Sequence, residues 1–225
     1  MTSEDSAWMR LVRFSFRLLY NEFAWTYGPV SWLASLGQWQ AWMAAAIPYL
    51  TVRTDRPTDV LEINHGPGHM LLGLHRRGYR AVGLDLSPSM GRQAQRRLHR
   101  GRAAVPLVRA DVQAIPFPEM AFDHVLSTFP SEFITWPATL QNIHRVLRAE
   151  GRLVVIPLAR FSGEGLPVRL LEWAYAITGQ RPPALEETTN HPFWQALEGY
   201  GFKVSIEQVT LARSTVTVVI ATKLL

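Results

Sequence analysis

Residues 59–69 read Asp-Val-Leu-Glu-Ile-Asn-His-Gly-Pro-Gly-His, a short apolar run that ends in two closely spaced glycines. A run of this length bounded by a Gly-Pro-Gly turn predicts a buried strand over Asp59–Asn64. Glycines at the turn let a ligand approach the backbone, and the helix that follows offers free N–H groups. That helix spans Met70–Arg77 and Gly78 closes it; a second strand covers Tyr79–Asp85. Asp85 stands at the strand's tip, nineteen residues after Gly66. A carboxylate there accepts from a ribose diol in nucleotide-binding sheets.

Further along, Ser87 predicts a helix N-cap with Pro88 at the first position, and Gly101 ends that helix after Arg100. Strands follow at Val105–Arg109, Phe122–Thr128 and Arg152–Ile156, with a helix over Trp136–Leu147 between the last two. Alternating strands and helices predict a doubly wound, mostly parallel α/β sheet. Asn190 then reads as the cap of a helix with Pro192 near its start, closing near Gly201. Phe202–Val209 and Ser214–Thr222 come after it as β-rich runs with no helix between them, which predicts an antiparallel C-terminal end and seven strands in all. Residues 1–56 form an N-terminal helical cap and 57–225 the ligand-binding domain. Residues 158–189 exceed an ordinary connection and read as a lid insertion, with an apolar helix over Leu166–Ile177.

At 225 residues and 48% apolar content the chain suits one domain with a sizeable core. It has no cysteine, which excludes disulfides, thiolate metal sites and a Cys nucleophile. Arg10, Arg13 and Arg17 interrupt the first apolar stretch, so no secretory signal is expected and a cytoplasmic location is. Phe23–Val52 carries no charge, but Gly28-Pro29, Gly37, Gln38, Gln40 and Pro48 break it, which favours a cap over a membrane span. Trp25, Trp32, Trp39 and Trp42 fall three or seven apart, the spacing of one helical core stripe.

The net charge is +5, and residues 70–109 hold nine arginines against one acid, Asp85. Arg76, Arg77, Arg96, Arg97, Arg100 and Arg102 fall at helix C-termini, where the macrodipole favours them. Ligands of such sheets bind at the other end, so a solvated face is expected and nucleic acid is not. His65 and His69 lie four apart but not on one helix, and the local sequence supplies too few further ligands for a metal.

The glycine loop fits any nucleotide-like ligand. A dinucleotide is disfavoured because Leu71 occupies the third glycine position of G-x-G-x-x-G, and no P-loop is present. After the third strand comes Ala110-Asp111-Val112-Gln113-Ala114-Ile115-Pro116-Phe117. Asp111 can accept from an exocyclic amine while Val112 packs against a ring, and adenine offers both. Leu86 and Met90 add apolar surface beside them.

VLEINHGPG, GLDLSPSM, RADVQAIPFPEMAFDHVLSTFP and HRVLRAEGRLVVIP, in this order over residues 58–157, resemble successive motifs of class I, Rossmann-like methyltransferases. The likeness is greatest to the small-molecule enzymes of ubiquinone and menaquinone biosynthesis. It implies S-adenosylmethionine as cofactor, with Gly66 and Gly68 against the methionine part, Asp85 on the ribose, Asp111 at the adenine amine and Val112 on the ring. It also implies Glu62 holding the glycine loop and the methionine ammonium, and Ser127 near the methyl-transfer mouth. Asn64 occupies the family's first glycine position, and Asn tolerates unusual φ better than most residues. Phe23-Ala24-Trp25-Thr26-Tyr27-Gly28 resembles the family's cap segment, which implies Tyr27, and less directly Tyr20, covering the cofactor.

A sulfonium is already a good leaving group, so the protein need mainly bring the reactants together, and no catalytic residue is assigned. Glu132, after the fourth strand, reads equally as a general base and as an ordinary loop acid. The apolar cap and lid favour a small, lipophilic acceptor. Residues 8–20 place Arg10, Arg13 and Arg17 on one helical face and Trp8, Leu11, Val12, Leu18 and Leu19 largely off it, a pattern of peripheral membrane helices and, more commonly, of a helix docked on its own domain. Two alternatives stand beside the enzyme: a non-catalytic methyltransferase-like binder, to which Asn64 and Gly28 give weight, and a nucleic-acid methyltransferase, which lacks an Asn-Pro-Pro-aromatic motif here.

Overall fold

The computed structural model describes residues 32–162 and 192–224. Seven strands form one sheet: β1 Asp59–Ile63, β2 Arg80–Asp85, β3 Leu107–Arg109, β4 Phe122–Thr128, β5 Leu147–Phe161, β6 Phe202–Leu211 and β7 Ser214–Lys223. The helices that bear on it are α1 Trp39–Ala44, α2 His69–His75, α3 Pro88–Arg100, α4 Pro137–Val146 and α5 Pro192–Gly199. The strand order is β3-β2-β1-β4-β5-β7-β6, with the first five parallel and β7 antiparallel to both neighbours. The antiparallel end follows from connectivity, because only Ala212 and Arg213 separate β6 from β7 and no crossover fits between them.

Every residue of β1 and β4 is buried, as befits central strands covered on both faces. Alternation along the strands divides the core. Leu61, Ile63, Val125, Leu153 and Val155 pack against Leu140, Ile143 and Val146 of α4 and Phe193, Trp194 and Leu197 of α5. Val60, Leu126, Val154 and Ile156 face the other way, onto Trp42 and Met43 of α1 and Met70, Leu71 and Leu74 of α2. Each large side chain so buried contributes about 1.5–3 kcal/mol. The result is a three-layer sandwich whose parallel strands all end on one side.

The start of α3 follows its sequence signals: the Ser87 hydroxyl accepts from the Met90 N–H, Pro88 opens the helix and Gly101 caps it. Three readings need correction. β5 runs on through Phe161, because Leu158–Phe161 pair with Ser214–Thr217 of β7, so the first residues assigned to the lid are strand. The tryptophan stripe is not one helix: Leu36 and Gly37 have φ of 49° and 80°, and this left-handed break leaves Trp32 64% exposed while Trp42 is 3% exposed. Met90 is 1% exposed and therefore offers the ligand side no surface, since its place in the first turn of α3 points it inward. Residues 8–20, Tyr20, Tyr27, Leu166–Ile177 and Asn190 lie outside the described residues.

Candidate functional site

The chain leaves β1 through α2 to β2 on one side and leaves β4 through α4 to β5 on the other. The order therefore reverses between β1 and β4, and ligands of open α/β sheets settle outside the strand ends at such a point. The loops after β1, β2, β3 and β4 border this crevice.

The loop after β1 is built on left-handed backbone. Asn64, Gly66 and Gly68 have φ of 59°, 52° and 77°. Asn64 thus adopts the conformation that a glycine would supply, and its N–H donates to the Leu84 carbonyl at 2.7 Å. Gly68 is required for a second reason: a Cβ there would lie 2.9 Å from the Ala94 Cβ of α3. The missing third glycine is offset from the strand side, because a Cβ on Gly83 would lie 2.6 Å from the Leu71 side chain. Gly83 gives Leu71 the room that a helical glycine otherwise creates.

Two acids sit under this loop on one sheet face. Glu62 pairs in register with Gly83, and Asp85 is two residues further along β2. Asp85 accepts the Gly66 N–H at 2.9 Å through one oxygen and the Ser87 N–H at 2.8 Å through the other. It therefore joins the first two loops, and each oxygen keeps a lone pair for a further donor. Glu62 is 1% exposed, and its Oε2 has no hydrogen-bond partner among the described residues. Burial, and then the charge of Asp85, push its carboxyl well above the ordinary range, against the opposing Leu71 amide. A buried carboxyl oxygen without a donor is costly and marks a place for one.

Asp111 accepts the Gln113 N–H at 2.9 Å and N-caps the short 3-10 turn Val112–Ala114. Val112 is half-buried against the core, and Leu86 is 60% exposed on the loop after β2. Replacing Asp111 by alanine is expected to lower stability by about 0.5–2 kcal/mol, whereas asparagine, an equal cap, leaves it nearly unchanged. Thermal melts of the two variants check this. Ser127 is fully buried near the end of β4, in register with Val155 on the sheet face opposite Glu62, and its Oγ has no hydrogen-bond partner among the described residues. Glu132 is exposed in a 3-10 turn beyond β4.

Several supporting residues escaped the sequence. Arg97 is half-buried and donates to the Pro67 carbonyl, holding the glycine loop from α3 rather than standing in solvent. Asn142 and Arg145 of α4 donate to the carbonyls of Gln113, Ile115 and Phe117 and fix the loop after β3. Arg109 donates to the Leu86 carbonyl at 3.3 Å. Arg80 pairs with Asp59 at the opposite end of the sheet, with its side chain 63% exposed. The two loop histidines diverge: His65 Nδ1 meets the Gly66 carbonyl at 2.7 Å and His69 Nδ1 meets Gln40 Nε2 at 3.3 Å. Burial lowers the pKa of both, and Arg97 adds to the effect at His69, which is pushed down to about 4. Both rings are neutral at pH 7.

Residues 60–151 match the methyltransferase domain family. A demethylmenaquinone methyltransferase of Thermus thermophilus is 32% identical over 141 residues, which cover 61% of this chain and 63% of that protein. A ubiquinone/menaquinone biosynthesis C-methyltransferase of Paracoccus denitrificans is 28% identical over 162 residues, covering 70% and 62%. The chain thus spans about three fifths of the length of these relatives. Among solved structures, geranyl diphosphate C-methyltransferase of Streptomyces coelicolor, in complex with S-adenosyl-L-homocysteine, superposes with a TM-score of 0.60 at 14% identity, covering 82% of this chain and 79% of that one.

Proposed function

We propose that this chain carries a class I methyltransferase domain and transfers the methyl group of S-adenosylmethionine to a small, lipophilic acceptor. The observation that carries the cofactor is the buried Glu62 carboxyl beside the left-handed Asn64–Gly68 loop, whose Oε2 has no hydrogen-bond partner among the described residues. An ammonium supplies the missing donor and favours the carboxylate. Glu62 and the backbone of Asn64, Gly66 and Gly68 would hold the methionine part, Asp85 the ribose, and Asp111, Val112 and Leu86 the adenine. The loop histidines, neutral at pH 7, add no positive charge against a ligand that is itself cationic. When bound, the cofactor supplies an electrophilic methyl on sulfur.

The remaining work of the chain is placement and exclusion of water. The acceptor class rests on the names of the relatives, which act on quinone precursors, and on the aromatic surface beside β4. We extend the proposal to a peripheral membrane contact through residues 8–20 on the cytoplasmic side, where a lipophilic acceptor would be met. Among the described residues no helix is long and apolar enough to cross a membrane.

Asp85→Asn tests the ribose assignment with little change of shape. Charge-assisted hydrogen bonds contribute about 1.5–3 kcal/mol, so affinity for S-adenosylhomocysteine is expected to fall at least tenfold in a calorimetric titration. Wild-type affinity in that variant would remove Asp85 from the ligand site.

A further inference from the structure

We infer that Phe129 and Trp39 form the wall that selects the shape of the acceptor, admitting a flat ring in preference to a puckered one. The inference rests on the lipophilic acceptor proposed above and assigns its recognition to two residues. Phe129 directly follows β4, across the switch point from Asn64. Its φ is 51°, a left-handed conformation that a bulky L-residue rarely adopts and that glycine or asparagine would take more readily. The Phe129 N–H is fixed on the Ile156 carbonyl at 2.7 Å. Retaining an aromatic ring on strained backbone is a sign of a functional constraint.

The ring is held by a partner from the N-terminal cap. Phe129 stacks on Trp39 with centroids 4.4 Å apart and planes inclined by 25°. The next residue, Gln40, reaches His69 at the first position of α2. The start of α1 therefore spans from the loop after β4 to the loop after β1. It is anchored beneath by Trp42, whose Nε1–H donates to the Ser214 Oγ at 2.7 Å, and Ser214 Oγ donates in turn to Gln38 Oε1 at 3.0 Å. Trp42 is buried, as a core aromatic is, whereas Trp39 and Phe129 are only half-buried. A rigid, near-parallel, half-open aromatic pair at the crevice offers a flat apolar surface. A planar acceptor can stack on it, and a puckered ring of equal size cannot bring a face to it.

The test compares binding of 1,4-naphthoquinone with that of its saturated bicyclic counterpart, 1-decalone, to the full chain by equilibrium dialysis. The absence of cysteine removes thiol addition to the quinone. Wild type is expected to prefer the planar ring by about 2- to 12-fold, the contribution of aromatic stacking beyond area burial. Phe129→Leu keeps the bulk and loses the flat face, and Phe129→Gly also relieves the left-handed strain; both are expected to erase the preference. Equal binding of the two rings by wild type, or a preference that survives in both variants, would overturn the inference. S-Adenosylhomocysteine binding measured on the same samples reports separately on the methyltransferase reading, so the two failures are distinguishable.

Discussion

Gly68→Val is expected to lower the stability of the domain by about 2–5 kcal/mol and to abolish cofactor binding. Two costs combine. The position has φ of 77°, where an L-residue loses about 1–2 kcal/mol and a β-branched one fares worst. The new Cβ would also lie 2.9 Å from the Ala94 Cβ and 3.1 Å from its Cα, so α3 itself must move, and overpacking of this kind costs about 1–3 kcal/mol. Gly66→Ala is the control, because among the described residues nothing lies within 4 Å of a Cβ there and strain acts alone. Urea unfolding should therefore rank Gly68→Val well below Gly66→Ala. Equal losses in the two variants would mean that contact with α3 does not fix the loop.

Asp123→Ala is expected to cost about 2–3 kcal/mol, from the far end of the sheet. Asp59 and Asp123, at the starts of β1 and β4, are both buried and share Arg56 and Arg148. Asp123 accepts from Arg56 at 2.6 Å and from the Asp59 N–H at 2.8 Å. Removing one partner of a buried ion pair costs about 3–5 kcal/mol, and the figure is lowered here because the side chains of Arg56 and Arg148 are 29% and 30% exposed. The expected signature is a lower denaturant midpoint at unchanged slope, with cofactor affinity retained.

The same acids give the protein an acid-sensitive stability. Burial alone would raise the Asp59 and Asp123 carboxyls, but arginine hydrogen bonds and charges outweigh it and hold both below 3.8, the value for a free aspartate. Their stabilisation is present above that value and is lost as pH falls through the lowered folded-state values. Glu62 acts with the opposite sign. Its raised carboxyl makes the free protein lose stability as pH rises above the value of a solvated glutamate, 4.5.

The strands were legible because fully buried parallel strands are continuous apolar runs, and Gly78, Ser87-Pro88 and Gly101 punctuate them locally. The glycine loop and Asp85 were legible for the same reason: their chemistry lies in adjacent residues and one fixed spacing. What escaped was set by contacts distant in sequence. Arg97 reads as one more helix arginine until α3 packs on Gly68 and brings it to the Pro67 carbonyl. The Asp59–Asp123 cluster joins residues 64 apart, and each acid alone looks like an ordinary strand start. The break at Leu36–Gly37 was hidden by a tryptophan spacing that suits a helix, although Gly37 was itself a stop signal. Ser127 was named on the resemblance alone, and the alternation of β4, which the sequence does show, turns it to the opposite face from Glu62.

The most direct test of the account is calorimetric titration of the full chain with S-adenosylhomocysteine at pH 7 in two buffers of different ionisation enthalpy. Burial holds the Glu62 carboxyl toward its protonated form in the free protein, and a cofactor ammonium seated on it favours the carboxylate, so binding is expected to release protons. The account predicts binding below about 1 mM, the upper end of ordinary KM values, with a heat that shifts between buffers by the enthalpy of the released proton. Glu62→Gln should bind more weakly and show no buffer dependence. Absence of binding by the wild-type chain, or binding with no proton released, would contradict it.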